Sequence, residues 1–159
     1  DSEAEARDML RARAKATTDR TMDLSIKGRL GMVIDGTGRD YDKINGQVAQ
    51  LKQLGYDCYM IFVNTSLDVA LDRNRRRERT VPEYITKQSW TKVQSNIGKF
   101  KSLFGMDIMI IVDNSKDDRE LTTVTMGKVD KAVRKLVRNK VKSYTAKRWM
   151  ASERKARRR

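Results

Sequence analysis

Asp35-Gly36-Thr37-Gly38-Arg39 puts a carboxylate, a hydroxyl and a guanidinium within five residues, spaced by two glycines. A carboxylate so placed can hold a hydrated Mg²⁺ or accept a proton from an attacking hydroxyl. Thr37 can donate to a phosphate and Arg39 can grip one with two parallel N–H bonds. The glycines let backbone approach a ligand closely. A plain strand-to-helix turn, closed by an Asx-type hydrogen bond, accounts for the same residues equally well. What phosphate chemistry needs most is missing, because no G-x-x-x-x-G-K-[ST] loop occurs in the 159 residues.

Two further clusters carry chemistry. Arg73, Arg75, Arg76, Arg77 and Arg79 are five guanidiniums in seven residues, just before the Thr80-Val81-Pro82 break. On a continuing helix they would point in several directions, as a solvated face does. Beside a hinge they suit a lid that neutralises transferring phosphates. Asp113-Asn114-Ser115 ends an apolar run, where its polar groups could line a base-binding pocket or simply form a turn.

Apolar spacing predicts the elements that must position these groups. Residues 2–28 are rich in Ala, Arg, Glu and Met and lack proline, which favours a helix stopped at Gly28. Leu30–Ile34, Asp57–Val63 and Asp107–Val112 read as short buried strands. Between them, Asp42–Leu54 reads as a helix closed by Gly55. Ser66 caps another helix leading into the arginines, and Pro82 starts a third that runs to about Gly105. A last helix is expected from about Thr125 to Tyr144, with Val129, Val133, Leu136, Val137 and Val141 as its apolar stripe. Short apolar strands alternating with helices predict an α/β fold, a parallel sheet covered on both faces.

Composition narrows the function classes. No histidine is present, which excludes His-based catalysis and His metal sites. One cysteine, Cys58, excludes an internal disulfide and fits a reducing compartment. There is no signal peptide and no apolar run near membrane-spanning length, so a cytoplasmic or virion location is expected. The net charge of +14 is concentrated at one end. Residues 128–159 hold 14 Lys and Arg against two acids, leaving 21 basic and 19 acidic side chains in the other 127 residues.

That basic end has its own organisation. Lys128, Lys131, Arg134, Lys135, Arg138, Lys140 and Lys142 lie opposite the valines of the last expected helix. Lys147, Arg148, Arg154, Lys155 and Arg157–Arg159 follow, with Tyr144 and Trp149 interleaved. Phosphate backbones need this cation density, and aromatics can stack on bases. Lys135, Arg138, Lys142, Lys147, Arg148 and Arg154 are therefore the expected nucleic-acid contacts. A solubilising helix with a ragged end is the plainer alternative. Residues 146–159 hold too few apolar side chains to pack, which predicts disorder in the absence of a ligand. The expected division is an α/β domain over 1–125, a basic amphipathic helix over 126–145 and a basic tail over 146–159.

The stretch MVIDGTGRDYDKINGQVAQLKQLGYDCYMIFV resembles the zeta-toxin branch of P-loop kinases and, more distantly, phage polynucleotide kinases. The shared pattern is a strand ending in [DE]-G-T-[GN], a helix, then G-Y and another strand, and the likeness covers roughly residues 20–115. It implies a P-loop-kinase-like sheet and an ATP- and Mg²⁺-dependent phosphotransferase acting on a nucleotide, nucleotide sugar, small-molecule hydroxyl or nucleic-acid end. By that resemblance Asp35 acts near the acceptor hydroxyl and the metal, and Thr37 and Arg39 contact substrate. Arg73 and Arg79 bind phosphates from the lid, while Arg76 and Asn114 face the nucleotide.

The family's phosphate-binding loop lies upstream of the residues matched, on a strand between those matching Leu30–Ile34 and Asp57–Val63. Its absence from these residues leaves three expectations open. The chain is a C-terminal piece of a longer polypeptide, or another chain supplies the strand, or the sheet has rearranged and activity is lost. Asp1 in place of Met favours the first. The alternative to a kinase is a kinase-like structural or nucleic-acid-binding component of a larger assembly, such as a virion or ribonucleoprotein.

Overall fold

The computed structural model describes residues 2–105, 108–116 and 119–158. Asp107, the expected start of the third strand, and Arg159, the end of the tail, lie outside the described residues. The chain forms two compact units, residues 1–36 and 37–159.

The first unit is one long helix, α1 (Ser2–Lys27), and a following segment without regular structure. Thr17, Thr18, Thr21 and Ser25 donate their hydroxyls to carbonyls four residues back, at 2.9–3.0 Å. The helix stops as predicted. Gly28 donates its N–H to Leu24 O at 2.9 Å, and Arg29 turns the chain with φ +53°. The strand expected at Leu30–Ile34 does not form, and Leu30, Val33 and Ile34 are exposed. A strand exists only against a partner ladder, and among its described residues this unit has one helix and no strand to pair with. Asp35 therefore follows chain without regular structure.

The second unit holds the sheet. Asp40 caps α2 (Tyr41–Gln53) by accepting from Lys43 N–H at 3.1 Å. β1 (Met60–Asn64) follows, then α3 (Leu67–Arg75), whose cap Ser66 accepts from Val69 N–H. α4 (Glu83–Phe104) ends at Gly105, with φ +83°. β2 (Met109–Asp113) pairs parallel with β1, in register from Met60↔Met109 to Asn64↔Asp113. The sheet of the described residues has these two strands, β1 starting about three residues later than its apolar run predicts.

Burial on the strands says which faces are covered. Met109 and Val112 are both buried and, three apart, point to opposite faces, so β2 is covered on both sides. α4 and α5 (Arg119–Val137) pack against it. On β1 only Phe62 is buried, while Ile61 and Val63 on the other face are exposed. The core gathers on the covered side, where fully buried Phe100 meets Phe62, Val48, Phe104 and Met109. Tyr41 and Phe62 lie tilted to its ring, with centroids 5.4 and 6.3 Å away.

The basic end differs from its expected form. α5 stops at Val137, short of Tyr144, and α6 (Tyr144–Ala156) is a separate helix where composition predicts an unfolded tail. Ser143 caps α6 by accepting from Ala146 N–H at 3.4 Å. Ala146, Met150 and Glu153, at helical spacing, form its half-buried stripe. Gly55 makes room for it. With φ +98°, Gly55 approaches so closely that a Cβ there would lie 2.9 Å from Ala146 N. Among the described residues no helix is long and apolar enough to cross a membrane.

Candidate active site

Parallel pairing brings the carboxyl ends of β1 and β2 to one edge, where α/β folds bind ligands. Asn114 N–H extends the ladder by donating to Asn64 O at 2.7 Å. Ser66 N–H donates to Ser115 Oγ at 3.0 Å, and Thr65 Oγ1 donates to Asn114 O at 3.4 Å. Asp113 sits at the same edge. The Ser115 hydroxyl and then its N–H (3.0 Å from Oδ1) bond to the Asp113 carboxylate and hold its pKa below the usual carboxylate value.

α4 organises this edge. Trp90 Nε1 donates to Thr65 O at 2.9 Å, and Gln94 Nε2 donates to Asn64 Oδ1 at 2.7 Å. The next turn of α4 holds the other cluster. Buried Asn96 donates through Nδ2 to the carbonyls of both Gly38 and Arg39, each at 3.0 Å. Arg39 Nη1 in turn donates to Ser89 Oγ at 3.4 Å. Gly38, with φ +72°, faces Phe62 and Phe100, so the turn rests directly on the core.

Of the expected site residues, Arg39 is thus bonded to α4 directly, whereas Asn114 is linked to it through Asn64 and Thr65. Thr37 is exposed in the same unit. Asp35 is exposed and belongs to the first unit, so the unit boundary falls inside the five-residue motif.

The arginine cluster is a loop, not the continuation of a helix. α3 ends at Arg75, and Arg76 is its C-cap. Buried Asn74 closes the loop by donating Nδ2 to Val81 O at 2.7 Å and accepting Val81 N–H at 3.0 Å. Arg75 pairs with Glu83 and Arg76 with Asp72, both at 2.8 Å. Arg73 lies half-buried on the last turn of α3, and Arg77 and Arg79 are exposed in the loop. Asn74, Arg75 and Thr80–Glu83 line an open cleft of about 550 Å³.

Asn74 and Asn96 are the residues that sequence reading missed. Asn96 had a signal. It falls on the apolar stripe of α4 with Val93 and Phe100, and a polar side chain there must find partners. Burial raises the Cys58 thiol pKa, opposed by the Lys52 ammonium and aided by the Asp57 carboxylate. Among the described residues no three Cys, Asp or Glu side chains lie close enough to hold a metal.

Elsewhere in the second unit, Lys135 and Arg138 join Lys131, Arg134 and Asn139 around an open groove of about 420 Å³ on α5. Lys142 is exposed in the link to α6, and Lys147, Arg148 and Arg154 are exposed on α6 itself.

Residues 2–124 match the family model described as Zeta toxin. No curated protein and no solved structure matches the chain.

Proposed function

The chain belongs to the zeta-toxin family of P-loop kinase-like nucleotide-binding domains, and on that premise we propose that it carries the acceptor side and arginine lid of an ATP-dependent phosphotransferase. Its mixed α/β fold with a parallel sheet is compatible with that family. The acceptor is a hydroxyl of a nucleotide, a nucleotide sugar or a nucleic-acid end. Asp35 takes the acceptor proton and faces Mg²⁺, Thr37 and Arg39 hold the acceptor, and Arg73 and Arg79 meet the transferring phosphate. Arg76 and Asn114 serve the nucleotide. The phosphate-binding loop and its strand come from outside these 159 residues, from an upstream segment or another chain.

One observation carries the reading. Buried Asn96 spends its amide on the backbone of Gly38 and Arg39, which fixes the turn and leaves the Arg39 guanidinium at the surface. The donor set also fits ATP with Mg²⁺. A nucleotide-borne Mg²⁺ keeps waters and phosphate oxygens and takes one or two protein carboxylates, so it needs no three-group cluster. The exposure of Arg79 supports its role toward phosphate, whereas Arg76 would first have to leave Asp72.

The test is phosphate transfer from ATP to nucleoside monophosphates, nucleotide sugars and 5′-hydroxyl oligonucleotides. It uses the protein together with the segment that carries its phosphate-binding loop. Asp35→Ala is expected to lower the rate by about 10²–10⁴-fold, the usual contribution of a positioned base. Transfer undiminished by Asp35→Ala overturns the role of Asp35. No transfer to any acceptor favours the alternative, a kinase-like component of a larger assembly.

A further inference from the structure

α6 is docked by one side and presents another. Its half-buried stripe, Ala146, Met150 and Glu153, holds the only acid of the helix. Tyr144, Lys147, Arg148, Ala151 and Lys155 each lie three or four residues from another of the set, so they share one exposed face. Arg154 borders it. From Lys147 to Lys155 that face runs about 12 Å, and each of its cations has a like neighbour within about one screening length at physiological salt (about 8 Å), so neighbouring cations reinforce one another.

α5 repeats the arrangement. Lys131, Arg134, Lys135 and Arg138 fall at i, i+3, i+4 and i+7 and line their own groove. Asp130 pairs with Arg134, at 2.8 Å. Two short basic faces in succession, each on an ordered helix, exceed what solubility requires.

We infer that the exposed face of α6 is a docking surface for the phosphodiester backbone of a nucleic acid, with the groove of α5 as a second basic site of the same unit. An anionic bilayer is the competing polyanion, and the fold argues against it. Helices that lie on membranes need a free apolar face, and here Ala146 and Met150 are turned toward the protein. Tyr144 is 74% exposed, with the Arg148 guanidinium 5.8 Å above its ring. Such a stacked pair suits an unpaired base, which favours single strands over duplex. Most of these contacts go to phosphate, so binding is sequence-tolerant.

The experiment measures fluorescence anisotropy of labelled single-stranded RNA, single-stranded DNA and duplex DNA with the full chain, across a salt series. The test variant combines Lys147→Gln, Arg148→Gln, Arg154→Gln and Lys155→Gln, all at exposed positions. A second variant, Lys87→Gln with Lys92→Gln, removes exposed charge from α4. Four lost contacts should reduce the slope of log affinity against log salt by about three, at about 0.7 per phosphate on a single strand. The α4 variant should keep the wild-type slope. An unchanged slope in the α6 variant overturns the proposal. So does an equal loss per charge in the α4 variant, or binding to phosphatidylserine vesicles with none to any oligonucleotide. The surface goes beyond the phosphotransferase reading, since anisotropy needs no turnover and each can fail while the other stands.

Discussion

Asn74 and Val81 exchange two hydrogen bonds across the arginine loop, one donated by each residue. A side chain thereby does for this loop what a backbone ladder does for a hairpin. The six residues between them can then vary in conformation while their ends stay together.

Asn74→Ala should cost about 1–3 kcal/mol, toward the lower end because Val81 is partly exposed and water can replace one bond. Urea unfolding measures the loss. Limited proteolysis should also cut the variant faster between Arg75 and Arg79. Asn74→Asp keeps the acceptor for Val81 N–H and should fall between wild type and the alanine variant.

Asn96→Ala should destabilise by roughly 1–3 kcal/mol, because the carbonyls of Gly38 and Arg39 lose their donor beside the core. Asn96→Asp should be worse at neutral pH, where a carboxylate would face two carbonyl oxygens. Its deficit should shrink as pH falls, since a protonated carboxyl can donate one bond. Unfolding curves at neutral and acidic pH compare the two.

The depressed pKa of Asp113 fixes the sign of a pH effect. Its bonds from Ser115 favour the charged form, so the stabilisation is full above the unfolded pKa, about 3.9. It disappears as pH falls through the lower folded value. Wild type should therefore be more stable than Asp113→Asn at neutral pH, and the difference should close on acidification. Ser115→Ala should raise the Asp113 pKa, as read by carboxyl NMR titration.

Gly55→Ala acts on α6 at a distance in sequence. The new methyl would meet Ala146 N at 2.9 Å and force φ +98° on a residue with a side chain. A loss of roughly 1–3 kcal/mol is expected for that backbone alone. Circular dichroism should show less helix, because α6 loses its seat. Gly46→Ala, with open space around it on α2, is the control and should not lose stability.

Local signals were legible wherever a side chain acts on its own neighbours. Ser66, Gly28 and Gly105 mark helix ends that the structure keeps. The paired strands follow from their apolar runs. Leu30–Ile34 misled because a strand is a relation between segments, and composition carries no information about the partner. α6 misled for the opposite reason. Its few apolar residues underestimate a helix that is seated by one alanine over one glycine. In the site, Arg39 and Asn114 stood out as polar groups at the ends of apolar runs. Asn74 did not, because its partners are backbone atoms seven residues on.

The hold of Asn96 on Gly38 and Arg39 joins an uncharged amide to uncharged carbonyls. Neither ionic strength nor pH in the ordinary range alters such bonds appreciably. The motif turn and the basic helices therefore answer to different solution variables. A salt titration can strip a polyanion from the helices while the turn keeps its shape, so one sample can report on both surfaces separately.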